Sequence, residues 1–138
     1  IVASREKSAI STTKDLTDRI AHLVPKKKKN QFLARIFQSI RIEVNDEINS
    51  LKEMLNNAVD MLDTSGRLVI MSYHSLEDRL VKNLFKKGNL EGNLKKDFFG
   101  NPHKVLKEIN RKVIIASDNE IANNSRARSA KLRIAEKI

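Results

Sequence analysis

Gly66-Arg-Leu-Val-Ile-Met-Ser-Tyr-His-Ser-Leu-Glu-Asp-Arg79 reads as a buried strand running straight into a helix. Leu68 to Met71 is a short apolar run with a β-branched centre, opened by Gly66. Such a run suits a strand covered on both faces, as in a parallel sheet. Ser75 can then cap a helix that keeps Glu77 and Asp78 near the positive end of its dipole. Leu76, Leu80, Val81, Leu84 and Phe85 continue at helical spacing toward Gly88. In open α/β sheets, ligands gather where strands end and helices begin. Ser72, Tyr73, His74 and Ser75 occupy that point, and four such side chains in succession exceed what a turn requires.

Upstream lies the longest helical pattern, Gln31 to Leu62. Phe32, Ile36, Ile40, Val44, Ile48, Leu51, Leu55, Val59 and Leu62 recur there at three or four residues. Asn45-Asp46-Glu47 is the expected break, because Asn and Asp compete for backbone hydrogen bonds and Asp46 can cap a second helix. Before it, Ser11-Thr-Thr13 offers caps for a short amphipathic helix carrying Leu16, Ile20 and Leu23 and ending near Pro25. Lys26-Lys-Lys-Lys29 is expected to be a solvated, mobile loop, since like charges repel. Downstream, Gly88 to Pro102 is a loop rich in Gly, Asn and Lys. Short strand-like runs follow at Val105–Ile109 or Val113–Ala116, and finally at Ala130–Ala135.

At 138 residues the chain is one modest domain or a piece of a larger one. It begins at Ile1, so the expectation is that a natural start lies elsewhere. It has no cysteine, which excludes disulfides and thiolate metal sites and fits a cytoplasmic setting. His22, His74 and His103 are scattered and lack metal-ligand spacing. No run is apolar enough for a membrane span. Charge is uneven along the net +10: residues 1–35 hold nine Lys and Arg against three acids, 36–78 three against eight, and 79–138 fifteen against six. Two basic ends around an acidic middle suggest a surface facing polyanion, although a solvated lysine face gives the same count.

The last segment, Ser125-Arg-Ala-Arg-Ser-Ala-Lys-Leu-Arg-Ile-Ala-Glu-Lys137, is the second strong signal. Leu132 and Ile134 point to one side and Lys131, Arg133 and Ala135 to the other, as in a strand near a sheet edge, and the segment near 130–135 is expected to pair antiparallel in the same sheet as residues 67–72. Arg126 and Arg128 stand just before it. Their guanidinium forks can grip phosphate, or can pair with acids such as Glu77 or Asp78 and hold the sheet together.

Phe37-Gln-Ser-Ile-Arg-Ile-Glu-Val-Asn-Asp-Glu47, the Gly66–Arg79 stretch and Arg126-Ala-Arg-Ser-Ala-Lys-Leu-Arg-Ile-Ala-Glu136, in this order and spacing, closely resemble the bacterial small-subunit ribosomal RNA cytosine-N4 methyltransferase family (the MraW type). The resemblance spans nearly the whole chain. Asn124-Ser125 departs from the family's usual Asn-Pro, which loosens the turn before the last strand, and Tyr73 stands where Phe is common. The fold implied is α/β: the C-terminal part of a Rossmann-like S-adenosylmethionine-dependent methyltransferase sheet (46–138) with part of a helical insert domain (1–45). The resemblance implies S-adenosylmethionine as cofactor, its site in a missing N-terminal half. Gly66, Gly88, Gly92 and Gly100 form no nucleoside-cradling loop. The fragment alone is therefore expected to be inactive, with exposed apolar surface that favours a homodimer.

Cytosine N4 methylation needs acceptors that hold the hydrogens of a delocalised exocyclic amine so that its nitrogen faces the methyl donor, and the base must leave its stack. Ser72 and His74 lie on a strand end suited to this. His74, however, sits where a histidine more often just hydrogen-bonds the backbone. Gln38, Arg41 and Asn45 share one helical face, with Arg35 close by, and form a polar stripe able to read a cytosine edge or its phosphate. Lys26, Lys27, Lys28, Lys29, Arg35, Gln38, Arg41, Asn45, Arg126, Arg128 and Lys131 are the expected contacts to small-subunit ribosomal RNA or a ribosomal particle. Two other readings use the charge alone: a non-catalytic basic RNA-binding module, and a helical nucleoid protein that leaves the strand–helix unit unexplained.

Overall fold

A computed structural model describes residues 1–138 except His103 and the Lys26 side chain. The chain forms two compact units, Ile1–Glu47 and Ile48–Ile138.

The first unit is helical. A short α1 (Val2–Arg5) precedes α2 (Thr13–Ile20). Thr12 caps α2: its hydroxyl accepts the Asp15 amide at 3.0 Å while the Asp15 carboxylate accepts the amides of Thr12 and Ser11 at 3.0 and 3.1 Å. Leu16 and Ile20 are buried, but Leu23, expected on the same stripe, falls in a 3₁₀ turn (Ala21–Leu23) and is exposed. The guanidinium of Arg19 donates to Ser4 and Ser8 and ties α1 to α2. The lysine run is more ordered than expected. It forms a 3₁₀ turn (Lys26–Lys28), and Lys29 opens α3 (Lys29–Val44). The long helical pattern breaks at the anticipated place: Asn45 ends α3, and Asp46 takes a φ of 50°, a left-handed conformation that Asp tolerates.

In the second unit, α4 (Glu47–Met61) leads to β1 (Arg67–Ser72) and α5 (Ser75–Lys87). Gly66 is required at the turn, because a Cβ there would stand 2.8 Å from the Asp63 carbonyl and the Leu62 side chain. The Lys137 ammonium donates to the carbonyls of Val59 and Leu62 at 2.8 and 2.6 Å, satisfying the open C-terminal end of α4. Downstream come β2 (Leu106–Glu108), β3 (Ile114–Ile115), α6 (Asp118–Asn123), a 3₁₀ turn (Ser125–Ser129) and β4 (Lys131–Lys137). Both proposed downstream strand runs are thus realised.

β4 is central. It pairs antiparallel with β1 from Arg67–Glu136 to Ser72–Lys131, and on its other side with β2 and β3. This corrects the edge position expected from its alternating charges. Those charges face a carboxylate donated by α5. The expected parallel pairing of β1 is also absent among the described residues, where β4 is its partner. Nor is β1 covered on both faces. Leu68, Ile70 and Ser72 turn inward, while Val69 and Met71 are 53% and 54% exposed. The apolar run therefore marks two apolar faces, of which these residues cover one. That inner face packs on α4 and α5 in a core of Leu55, Val59, Val81, Leu84, Phe85, Leu106 and Ala135.

Candidate functional site

β1 delivers its last residue, Ser72, into the interior at 5% exposure, opposite Lys131. The chain then turns through exposed Tyr73 and half-buried His74 into α5. His74 rather than Ser75 holds the cap position, one residue earlier than expected. Glu77 secures the turn: one carboxylate oxygen accepts the amides of Tyr73 and His74 at 3.2 and 3.1 Å. The His74 side chain makes no cap hydrogen bond, and its buried Nδ1 has no partner among the described residues. His74 nonetheless faces the Glu77 amide in a reciprocal capping arrangement with Glu77, the backbone-directed place expected of this histidine. A buried polar atom left open in this way is uncommon.

One turn further, Asp78 is buried and accepts from Arg133 Nε at 2.7 Å and Nη2 at 3.3 Å, with Lys131 Nζ at 3.5 Å. Burial pushes this carboxyl up, but the hydrogen bond and charge of Arg133, joined by Lys131, outweigh it and hold the group below its ordinary value. The arginine–carboxylate link between the last strand and α5 therefore exists, made by Arg133 and not by Arg126 or Arg128. Those two remain exposed on the 3₁₀ turn around buried Ala127. The missing proline does not loosen that turn, since the Asn124 side chain accepts the Arg126 amide at 3.1 Å and its carbonyl accepts the Ala127 amide at 3.0 Å.

A cavity of about 280 Å³ opens at this end of the sheet, bounded by Met71, Tyr73, Ile115, Glu120, Asn124 and Leu132. Glu120 and Asn124 escaped sequence reading, and they join Tyr73 at the strand end only because β3 pairs with β4 and α6 packs on the 3₁₀ turn before it. Sequence spacing carries no signal for that meeting.

In the first unit, Arg41 donates to Glu47 at 2.8 and 3.2 Å, and Asn45 Nδ2 reaches the same carboxylate at 3.3 Å. Arg35 is exposed and Gln38 half-buried on the same helix. An open hollow of about 420 Å³ is lined by Lys27, Lys28, Lys29, Asn30 and Gln31. Among the described residues, no three His, Asp or Glu side chains are grouped to hold a metal, and no helix is long and apolar enough to cross a membrane. The glycines do not fit a nucleoside cradle. Gly66 is wedged against Leu62, Gly88 ends α5 at a φ of 77°, Gly92 abuts Asn83, and Gly100 sits at a loop tip.

A strand end, a turn and a helix cap that meet beside an open cavity define the second unit as an α/β domain with its candidate site at the strand–helix junction. The chain belongs to the MraW methylase family, which it matches over residues 1–138. It is 51% identical over 138 residues to the "Ribosomal RNA small subunit methyltransferase H" of Parabacteroides distasonis, covering all of this chain and 45% of that protein. The protein of the same name from Flavobacterium psychrophilum is 53% identical over 137 residues, covering 99% of this chain and 47% of its own length. The Amoebophilus asiaticus protein of that name is 47% identical over 137 residues, with 99% and 44% covered. The chain thus spans a little under half the length of the curated relatives it matches.

Proposed function

We propose that this chain is part of a methyltransferase that modifies the N4 amine of a cytidine in small-subunit ribosomal RNA, with S-adenosylmethionine as donor. The observation carrying this reading is the family match along the whole chain, with the Ser72–His74 junction at its centre. The donor's cradle belongs, on this reading, to the part of the relatives that this chain does not span.

The residues of this chain prepare the acceptor. The lone pair of the cytosine amine is delocalised into the ring, so an acceptor must fix the N–H direction before nitrogen can attack. Nδ1 of His74 has no partner among the described residues, and the Ser72 hydroxyl ends the neighbouring strand. They hold the amine, while Arg126 and Arg128 take adjacent phosphates. Residues 1–45, read as part of a helical insert domain, make RNA contacts of their own through Lys26, Lys27, Lys28, Lys29, Arg35, Gln38, Arg41 and Asn45. Lys131, in the second unit with Arg126 and Arg128, contacts RNA while sharing its charge with Asp78.

Ser72→Ala and His74→Ala in the intact protein test this assignment. Transfer of labelled methyl to small-subunit particles should fall about 10- to 100-fold, the worth of one or two oriented hydrogen bonds, with RNA affinity retained. Unchanged turnover in both would remove these residues from the chemistry.

A further inference from the structure

The loop after α5 carries the two most conspicuous apolar side chains on the molecule. Phe98 is 98% and Phe99 85% exposed. Their rings meet edge to face, centroids 5.6 Å apart and planes at 88°. The tip that presents them is a closed turn. The Asp97 carboxylate accepts the amides of Phe99 and Asn101 at 2.9 and 2.8 Å and the Asn101 side chain at 3.1 Å. The Asp97 amide donates to the Asn101 carbonyl at 2.9 Å, the Gly100 amide to the Asp97 carbonyl at 3.0 Å, and Lys96 bridges to Pro102. Gly100, at a φ of 85°, allows the reversal. Two large rings are thus held in water by a preformed turn, where a flexible loop would let them collapse.

The surroundings select the partner. Residues 86–104 carry five lysines and two acids. One of those acids, Asp97, has its carboxylate turned into the loop. Lys95 and Lys96 stand exposed beside the rings. Aromatic faces beside fixed cations match an unstacked nucleic-acid strand, in which bases lie on rings and phosphates on ammonium groups. Perpendicular rings cannot both lie flat on one surface, but one can receive a base face while the other wedges beside it.

We propose that Phe98 and Phe99 form a wedge that stacks on unpaired bases of the RNA substrate, with Lys95 and Lys96 as its phosphate contacts. The inference rests on the reading of the chain as acting on small-subunit ribosomal RNA. The test uses the intact protein, that ribosomal RNA, and a single-stranded RNA oligonucleotide carrying 2-aminopurine as stacking probe. Phe98→Leu with Phe99→Leu keeps apolar bulk and removes the aromatic faces. It should abolish the fluorescence quench and weaken binding about 5- to 150-fold for each base stacked, with an unchanged salt slope. Phe98→Trp with Phe99→Trp should restore both signals, and Lys95→Gln with Lys96→Gln should lower the salt slope instead. If the leucine variant binds and is quenched like wild type while wild type still methylates ribosomal RNA, the wedge is refuted and the function stands. A wild-type protein that neither binds nor methylates that RNA overturns both. Unchanged RNA affinity with a shift from dimer to monomer in sedimentation assigns the pair to contact between copies and overturns the proposal.

Discussion

Asp78 binds the last strand to α5 through a carboxylate shared by Arg133 and Lys131, whose pairing the strand alternation alone does not disclose. Asp78→Asn leaves Arg133 half-buried with a neutral partner and should cost about 2–4 kcal/mol of stability, measured by denaturant unfolding. The sign with pH follows from its depressed pKa. The contribution is fully present above the unfolded group's ordinary 3.8 and is lost as pH falls through the lower folded value. Wild type should therefore lose stability at the acid end, and Asp78→Asn should show a flatter profile there. His74 belongs to the same scale. Its open Nδ1 makes it a residue whose removal should spare the fold and impair transfer, whereas Asp78 should do the reverse.

The lysine run and α3 form the element on which RNA binding is most simply tested. Replacing Lys26, Lys27, Lys28 and Lys29 by Gln should flatten the log–log salt dependence of RNA binding by up to about 4 units if each reaches a phosphate. An unchanged slope would make the run a solvated turn. Arg41→Ala removes an exposed ion pair with Glu47, worth about 0–1 kcal/mol to stability. Melting should scarcely move, while RNA affinity falls by about 1–3 kcal/mol if the guanidinium exchanges Glu47 for the substrate. Elements governed by local chemistry were legible in the sequence. Thr12 capping α2, the Asn45-Asp46 break, β1 opened by Gly66, and α5 closed by Gly88 each follow from neighbouring residues. The place of β4 was not, because its carboxylate partner lies 55 residues away from Arg133. Phe98 and Phe99 were equally opaque. Their loop was legible from its Gly, Asn and Lys content, but only the closed Asp97 turn shows the rings pointing into water.

At the scale of the molecule, the unit Ile48–Ile138 is a half-covered sheet. Helices α4 and α5 occupy one face, while Val69, Met71, Ile114 and Ile115 leave the other exposed. An open apolar face of this kind favours association in water. Residues 1–138 alone should therefore sediment as a self-associating species that Met71→Lys shifts toward monomer. A monomeric wild-type chain would show that the face is tolerated in water. Beside that face Tyr73, at the strand–helix junction, is exposed and lines an open cavity while Ser72 is buried, and on the proposed reading a base that leaves its stack enters from this side. Nucleoside mass spectrometry of small-subunit ribosomal RNA tests this most directly, applied to cells lacking the gene and to the same cells complemented with wild type or with His74→Ala. N4-methylated cytidine should disappear on deletion, return with wild type and stay low with the variant. N4-methylated cytidine that persists in the deletion strain, or the loss of a different modified nucleoside instead, would contradict it.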